Sequence, residues 1–268
     1  MTDVAGKIGE ALEKVREKRP LVHHMTNFVV MNDCANITLH IGGSPVMAHA
    51  PEEVEEMVGL ADCLVLNIGT LTTELIDAMV TAGRRANEKG IPVLLDPVGT
   101  GATAMRTEAA GRILKEVRIS FIKGNAGEVS VLAGVEAVVR GVDSAGTSGE
   151  PSEVAKQLAA AYGCTVIITG AVDFVSDGER TYSVHNGHSL MGTITGTGCM
   201  SGSLVGAFAG TVDDPVLAAL AGLVCFGVAG ELAAKQAPGP ASFKRALLDE
   251  VSGLTAEKVT GLARVNRL

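Results

Sequence analysis

Cys63-Leu64-Val65-Leu66-Asn67-Ile68 is followed by Leu71, Leu75, Ile76, Met79 and Val80, and then by Pro92-Val93-Leu94-Leu95-Asp96. The first run is continuously apolar, as in a strand covered on both faces. The next five residues recur at helical spacing. A second apolar run closes the unit. Strand, helix and strand in this order return the chain parallel to itself, because a parallel pair needs a long crossover that a helix normally supplies.

The same alternation extends downstream. Residues 103–117 form an amphipathic stretch, 119–123 a third buried strand, and 127–132 a short helix. Residues 141–151 read as a loop rich in glycine and serine. Val154, Leu158 and Ala161 mark one face of a helix, and Thr165-Val166-Ile167-Ile168-Thr169 is a fourth buried strand. Phe174-Val175 and Thr181-Tyr182-Ser183-Val184 flank Asp177-Gly178 as an antiparallel hairpin. Helices are expected after Cys199 and over 214–235, 242–253 and 256–263.

Upstream, residues 4–18 read as a surface helix and 21–25 as a strand. A helix over 32–41 stops at Gly42-Gly43, and 44–47 is a short strand. Pro51 with Glu52 and Glu53 suits a helix start. The expectation is an α/β fold: a mostly parallel central sheet, helices on both faces and an antiparallel hairpin at one edge. No linker divides the chain, so residues 1–268 read as a single domain.

Composition agrees. The chain has 268 residues, 47% hydrophobic and 19% charged, enough for a large core. Its net charge of −8 argues against a nucleic-acid surface. Residues 1–19 are charged and amphipathic without an apolar signal core, and apolar runs look interrupted short of a membrane span. Five cysteines, odd in number and without a Cys-x-x-Cys pair, make a disulfide framework or zinc knuckle a poor reading and a reducing cytoplasm the simplest location.

In open α/β sheets ligands bind beyond the carboxyl ends of the strands. Those positions carry Asn67 and Gly69, Asp96-Pro97-Val98-Gly99, Lys123-Gly124-Asn125-Ala126-Gly127-Glu128, and Thr169-Gly170. Asp96, Asn125 and Glu128 offer hard oxygens suited to Mg²⁺, mostly through waters. Lys123 offsets phosphate charge, and Thr169 offers a hydroxyl to a nucleotide. Gly196-Thr197-Gly198-Cys199 then opens an apolar, small-residue helix. Such a start presents free backbone N–H groups and a positive dipole end to an anion, and lowers the pKa of a thiol in its first turn. A tight turn feeding a packed helix reads equally well from these four residues alone. Asp96 as a turn cap, Met47 as core, Lys123 as a solvated strand end and His185-x-x-His188 as a bare pair are the plain alternatives. No Walker-type Gly-x-x-x-x-Gly-Lys-Ser/Thr occurs.

Lys123-Gly124-Asn125-x-x-Glu128, Asp96-Pro97-Val98-Gly99 and Gly196-Thr197-Gly198-Cys199 together resemble the ribokinase-like superfamily. His24-x-Thr26-Asn27, Asn32-x-x-Ala35-Asn36 and Gly43-Ser44-Pro45-x-Met47-Ala48 narrow the resemblance to the hydroxyethylthiazole kinases of thiamine salvage. The match runs in order from about residue 20 to beyond 208. It implies ATP- and Mg²⁺-dependent phosphorylation of 4-methyl-5-(2-hydroxyethyl)thiazole by a homotrimer with its sites near subunit boundaries. Carried over motif by motif, Met47, Gly196 and Asn27 meet the thiazole. Lys123, Thr169 and Asn125 meet ATP, Asp96 and Glu128 serve Mg²⁺ and phosphate, and Gly196, Gly198 and Cys199 serve catalysis.

Many relatives in the superfamily have Asp, a general base, where Cys199 stands. Phosphoryl transfer passes through a loose transition state that needs little base assistance, so the expected role of Cys199 is modest. Two departures stand out: Lys123 replaces a frequent Arg, and His40-Ile41 replaces smaller residues. Alternatives within the superfamily are an NAD(P)H-hydrate dehydratase, for which Asp at 199 is expected, and another small-alcohol or vitamin kinase. A non-catalytic ligand-binding protein on the same fold is the third reading.

Overall fold

A computed structural model describes residues 4–139 and 149–268. The chain order is α1 (Val4–Lys18), β1 (Leu21–Met25), α2 (Met31–Ile41), β2 (Ser44–Val46), α3 (Val54–Leu60), β3 (Cys63–Asn67), α4 (Thr73–Lys89), β4 (Val93–Asp96), α5 (Ala104–Glu116), β5 (Phe121–Asn125), α6 (Ala126–Val139), α7 (Pro151–Tyr162), β6 (Thr165–Thr169), β7 (Asp173–Ser176), β8 (Thr181–Val184), α8 (Thr197–Ala209), α9 (Pro215–Ala234), α10 (Pro240–Ser252), α11 (Ala256–Leu262) and β9 (Val265–Arg267). A 3₁₀ turn, Ser189–Thr193, precedes α8.

Among the described residues nine strands form one sheet in the order β2-β1-β3-β4-β5-β6-β7-β8-β9. β2 to β6 are parallel, and β7, β8 and β9 each pair antiparallel to their predecessor. The expected edge hairpin is present, but β9 adds an outer strand to it. Three residues with two charged or polar side chains, Val265-Asn266-Arg267, carry too little apolar pattern to signal a strand.

Alternation along β3 divides the core. Cys63 and Val65 face the cluster built on α1, α2, α8, α9 and α10, whereas Leu64 and Leu66 face the one built on α3, α4, α5 and α7. β3 is therefore buried on both sides, as β4 is, which is why their sequences show no polar alternation. The helix α8 lies close against the sheet: a Cβ at Gly206 would stand 2.8 Å from Cγ2 of Val65. That approach carries the start of α8 over the carboxyl ends of the strands.

Sequence and structure differ at several boundaries. The third strand begins at Phe121, where the ladder to Leu94 starts, so Lys123 sits inside it and Asn125 ends it. α6 runs to Val139 rather than stopping near 132, and residues 51–53 form a turn before α3. The loop expected over 141–151 lies outside the described residues from 141 to 148. α9 is apolar on every face up to Glu231 in its last turn; by length and composition it suffices to cross a membrane, contrary to the expectation of interrupted runs, but 83% of its most apolar window is buried in the fold.

Candidate active site

Register brings the strand ends level: Asn67 aligns with Asp96, and Asn125 with Thr169. A cleft of about 360 Å³ opens there and is walled on its far side by the start of α8. Asn27, Asp96, Lys123, Asn125, Glu128, Thr169, Gly196, Gly198 and Cys199 all line it. Met47, just past β2, does not, and is partly exposed. A larger cleft of about 490 Å³ adjoins, sharing Thr169 and Gly198 and continuing along the loop after β8.

Lys123 and Asp96 are each 2% exposed. Lys123 Nζ stands 3.4 Å from Asp96 Oδ2 and donates to the Gly198 carbonyl at 2.8 Å. Burial alone lowers the Lys123 pKa, but Asp96, Cys199 and Glu128 around it outweigh burial and hold it raised. The ammonium therefore stays charged at neutral pH. Burial pushes Asp96 upward against the pull of Lys123.

Asn67 joins three of these groups. Its Nδ2 donates to Asp96 Oδ2 at 2.9 Å and to Cys199 Sγ at 3.3 Å. Its Oδ1 accepts from Asn27 Nδ2 at 2.9 Å and from the Gly69 N–H at 3.0 Å. Asn27 Nδ2 also reaches Cys199 Sγ at 3.3 Å. The sulfur thus faces two amide donors at the half-buried wall of the cleft.

The carboxylate of Glu128 is held by main chain. Oε1 accepts from the Gly99 N–H at 2.8 Å and Oε2 from the Asn125 N–H at 2.9 Å, while Asn125 Oδ1 caps Glu128 N at 3.0 Å. Behind them Arg106 on α5 donates to the carbonyls of Ile68, Val98 and Gly69 at 3.1, 2.7 and 2.8 Å. The turns after β3 and β4 are tied to one guanidinium.

Gly196 is the N-cap of α8, with φ of +90°. A Cβ there would also lie 2.4 Å from Val30 Cγ1. Both conformation and space call for glycine. The first N–H groups of α8, from Thr197 to Cys199, lead the helix into the cleft.

A sequence profile of the hydroxyethylthiazole kinase family matches residues 12–257. The chain is 57% identical over 255 residues to a hydroxyethylthiazole kinase from Methanocella arvoryzae, covering 95% of this chain and 96% of that one. It superimposes on the structure of a hydroxyethylthiazole kinase from Pyrococcus horikoshii with a TM-score of 0.90 at 46% identity, covering 97% and 98% of the two chains. The chain belongs to the hydroxyethylthiazole kinase family. A pyridoxal kinase from Staphylococcus aureus, solved with AMP-PCP and pyridoxal, shares the fold at a TM-score of 0.61 and 14% identity, over 93% and 98% of the chains.

In this hydroxyethylthiazole kinase family member the thiol departs from expectation. The sequence reading places Cys199 at a helix start that lowers its pKa. Burial, with the Asp96 charge, outweighs Lys123, Asn67 and Asn27 and raises it above the ordinary value of a thiol. Asn67 is the residue that sequence reasoning noted as a polar strand end and left out of the site. Only its partners, 29 and 132 positions away, reveal its part. Asp173 was also missed: burial pushes it up to about 6 in the larger cleft, where it accepts from the Gly170 N–H. His185 and His188 turn to separate partners, Ser183 Oγ and the Leu190 N–H, and form no ligand pair.

Proposed function

We propose that the chain transfers the γ-phosphoryl group of ATP, with Mg²⁺, to the primary hydroxyl of 4-methyl-5-(2-hydroxyethyl)thiazole, giving the thiazole phosphate used in thiamine salvage. The observation that carries this reading is one cleft in which the α8 start, Lys123, Asp96 and Cys199 meet, continuous through Thr169 and Gly198 with a second cleft large enough for a nucleotide. Family membership supports the same acceptor.

The donor set fits Mg²⁺. Among the described residues no three His, Cys, Asp or Glu side chains converge, so the protein supplies few direct ligands. Mg²⁺ bound through one or two carboxylates, waters and substrate phosphates needs no more. Asp96 and Glu128 would hold it, and when bound it offsets charge on the phosphates. Glu128 is kept in place for this by the Gly99 and Asn125 N–H groups.

The chain's own residues do the remainder. ATP occupies the larger cleft, with Thr169 and Asn125 on its path and Lys123 beside the transferred group. The N–H groups at Gly196, Thr197 and Gly198 stabilise the charge that spreads over the phosphoryl oxygens. Cys199 stands beside the acceptor hydroxyl, held by Asn27 and Asn67. With its pKa raised, the thiol is protonated at neutral pH, so its part is orientation more than proton abstraction. Lys123 brings a point charge where the family often has a planar fork.

The reading includes a cytoplasmic homotrimer. Val29 lines the cleft and is 67% exposed, and its neighbour Phe28 is 65% exposed; cover from a neighbouring subunit would bury both. Met47 would then serve the thiazole pocket at such a boundary. A substrate panel tests the assignment: Mg-ATP with the thiazole alcohol, pyrimidine alcohols, pyridoxal and sugars. Phosphorylated thiazole is expected, and Asp96→Ala and Glu128→Ala should cripple its formation. Turnover confined to another alcohol in the panel sinks the assignment.

A further inference from the structure

The loop after β8 forms one wall of the larger cleft through Asn186, Gly187 and His188. It is held from behind by two residues outside the cleft lining, Glu231 on α9 and Arg264 between α11 and β9. Glu231 Oε1 accepts from the Gly187 N–H at 2.8 Å and from Asn186 Nδ2 at 3.0 Å. Arg264 grips the same carboxylate with both prongs, at 3.0 and 2.7 Å, and donates to the His185 carbonyl at 2.6 Å. Asn186, 6% exposed, accepts from the Arg264 N–H at 2.7 Å and donates to the Leu262 carbonyl at 2.9 Å. Three segments far apart in sequence meet in one network.

Steric fit adds to it. A Cβ at Gly227 would lie 2.6 Å from the carbonyl carbon of Asn186, so the loop rests directly on α9. Phe226 and Gly227 line the cleft beside the loop, making helix and loop a single wall. A two-pronged arginine–carboxylate pair is both stronger and more directional than a single-point contact. A wall held this way spends little conformational entropy when a ligand arrives.

We infer that Glu231 and Arg264 are positioning residues for the nucleotide: they pre-form the 185–188 loop and thereby set nucleotide affinity, leaving turnover at saturation to the residues at the strand ends. This rests on the reading that the larger cleft receives ATP. Neither residue lines the phosphoryl-transfer cleft. Loss of the clasp therefore acts on one substrate alone.

The test pairs calorimetric binding of AMP-PCP with steady-state kinetics in Arg264→Ala, Arg264→Lys and Glu231→Gln. Arg264 has a half-exposed side chain, so its removal leaves a folded protein even if Glu231→Gln does not. Arg264→Ala should weaken AMP-PCP binding and raise the KM for ATP by roughly tenfold, the scale of losing a charge-assisted pair and ordering a short loop. Thiazole KM and kcat at saturating ATP should hold, and Arg264→Lys should fall between. Unchanged AMP-PCP affinity, or lower kcat with affinity intact, overturns the inference. An unaltered protein that binds no AMP-PCP overturns the proposed function itself, and the inference with it.

Discussion

Asn67 and Cys199 are joined at 3.3 Å by the same amide nitrogen that holds Asp96 at 2.9 Å. One side chain thus sets the relative placement of a carboxylate and a thiol from different strands and helices. Asn67→Ala leaves buried Asp96 short of a donor and frees the Cys199 side chain. It should lower stability by about 1–3 kcal/mol, the cost of an unsatisfied buried group. Turnover should fall about 10- to 100-fold, as for a misplaced reacting group. Thermal unfolding and steady-state kinetics on one preparation check both. Asn67→Asp, which sets a second carboxylate against Asp96, should be worse.

Cys199 should behave as a slow thiol. Its raised pKa keeps it protonated at pH 7, so alkylation by iodoacetamide should be sluggish there and still climb beyond pH 9. Asp96→Asn removes a negative charge that disfavours the thiolate, and the profile should move to lower pH. Mass spectrometry of the Cys199 peptide gives the rate, because the other four cysteines are buried. A plateau reached below pH 8 in the unaltered protein contradicts the raised value.

Gly196→Ala meets two separate penalties. The residue needs φ of +90°, and its new methyl would press on Val30. The strained backbone costs about 1–3 kcal/mol. Val30→Ala in the same chain removes the closest contact, Cγ1 at 2.4 Å, and leaves Cβ at 3.0 Å together with the strain. The double variant should therefore recover only part of the lost thermal stability; full recovery shows that the backbone term is negligible.

Acid should destabilise the protein through His24. This ring is fully buried, donates to or accepts from Thr38 Oγ1 at 3.2 Å, and has its pKa lowered to about 3 by burial, with His23 and His49 adding to it. The native state refuses a proton that the unfolded chain accepts near pH 6.5. Stability is complete above that pH and falls as pH drops toward about 3, at ~1.4 kcal/mol per pH unit from this group. Denaturant midpoints between pH 7 and 4 should show the decline, and His24→Gln should flatten it. Parallel slopes in the two proteins remove His24 as the source.

Much of the architecture was legible because buried parallel strands announce themselves. Runs such as Thr165-Val166-Ile167-Ile168-Thr169 have no other economical reading between helical stretches. The cleft proposed as the site was legible for the same reason: polar groups at the ends of apolar runs converge once the register is level. Asn67 escaped because an asparagine at a strand end looks the same whether it caps a turn or spans two partners. The thiol's shift was misjudged because a helix start argues from local sequence, whereas burial and Asp96 are supplied by distant residues. β9 is held by its pairing with β8, which leaves no periodicity to read, and the 3₁₀ turn is too short to show one.

Arg106 has a mechanical consequence. Its guanidinium takes carbonyls from Ile68 and Gly69 on one side and Val98 on the other, so the turns after β3 and β4 share a fulcrum. Neither turn swings without carrying the other, and Asn67 and Asp96 ride on them together. The floor of the cleft is then a rigid bed, joined by 27–28 through Asn67 and Thr70, and whatever gating the reaction cycle needs falls to segments outside this tie, such as 193–196.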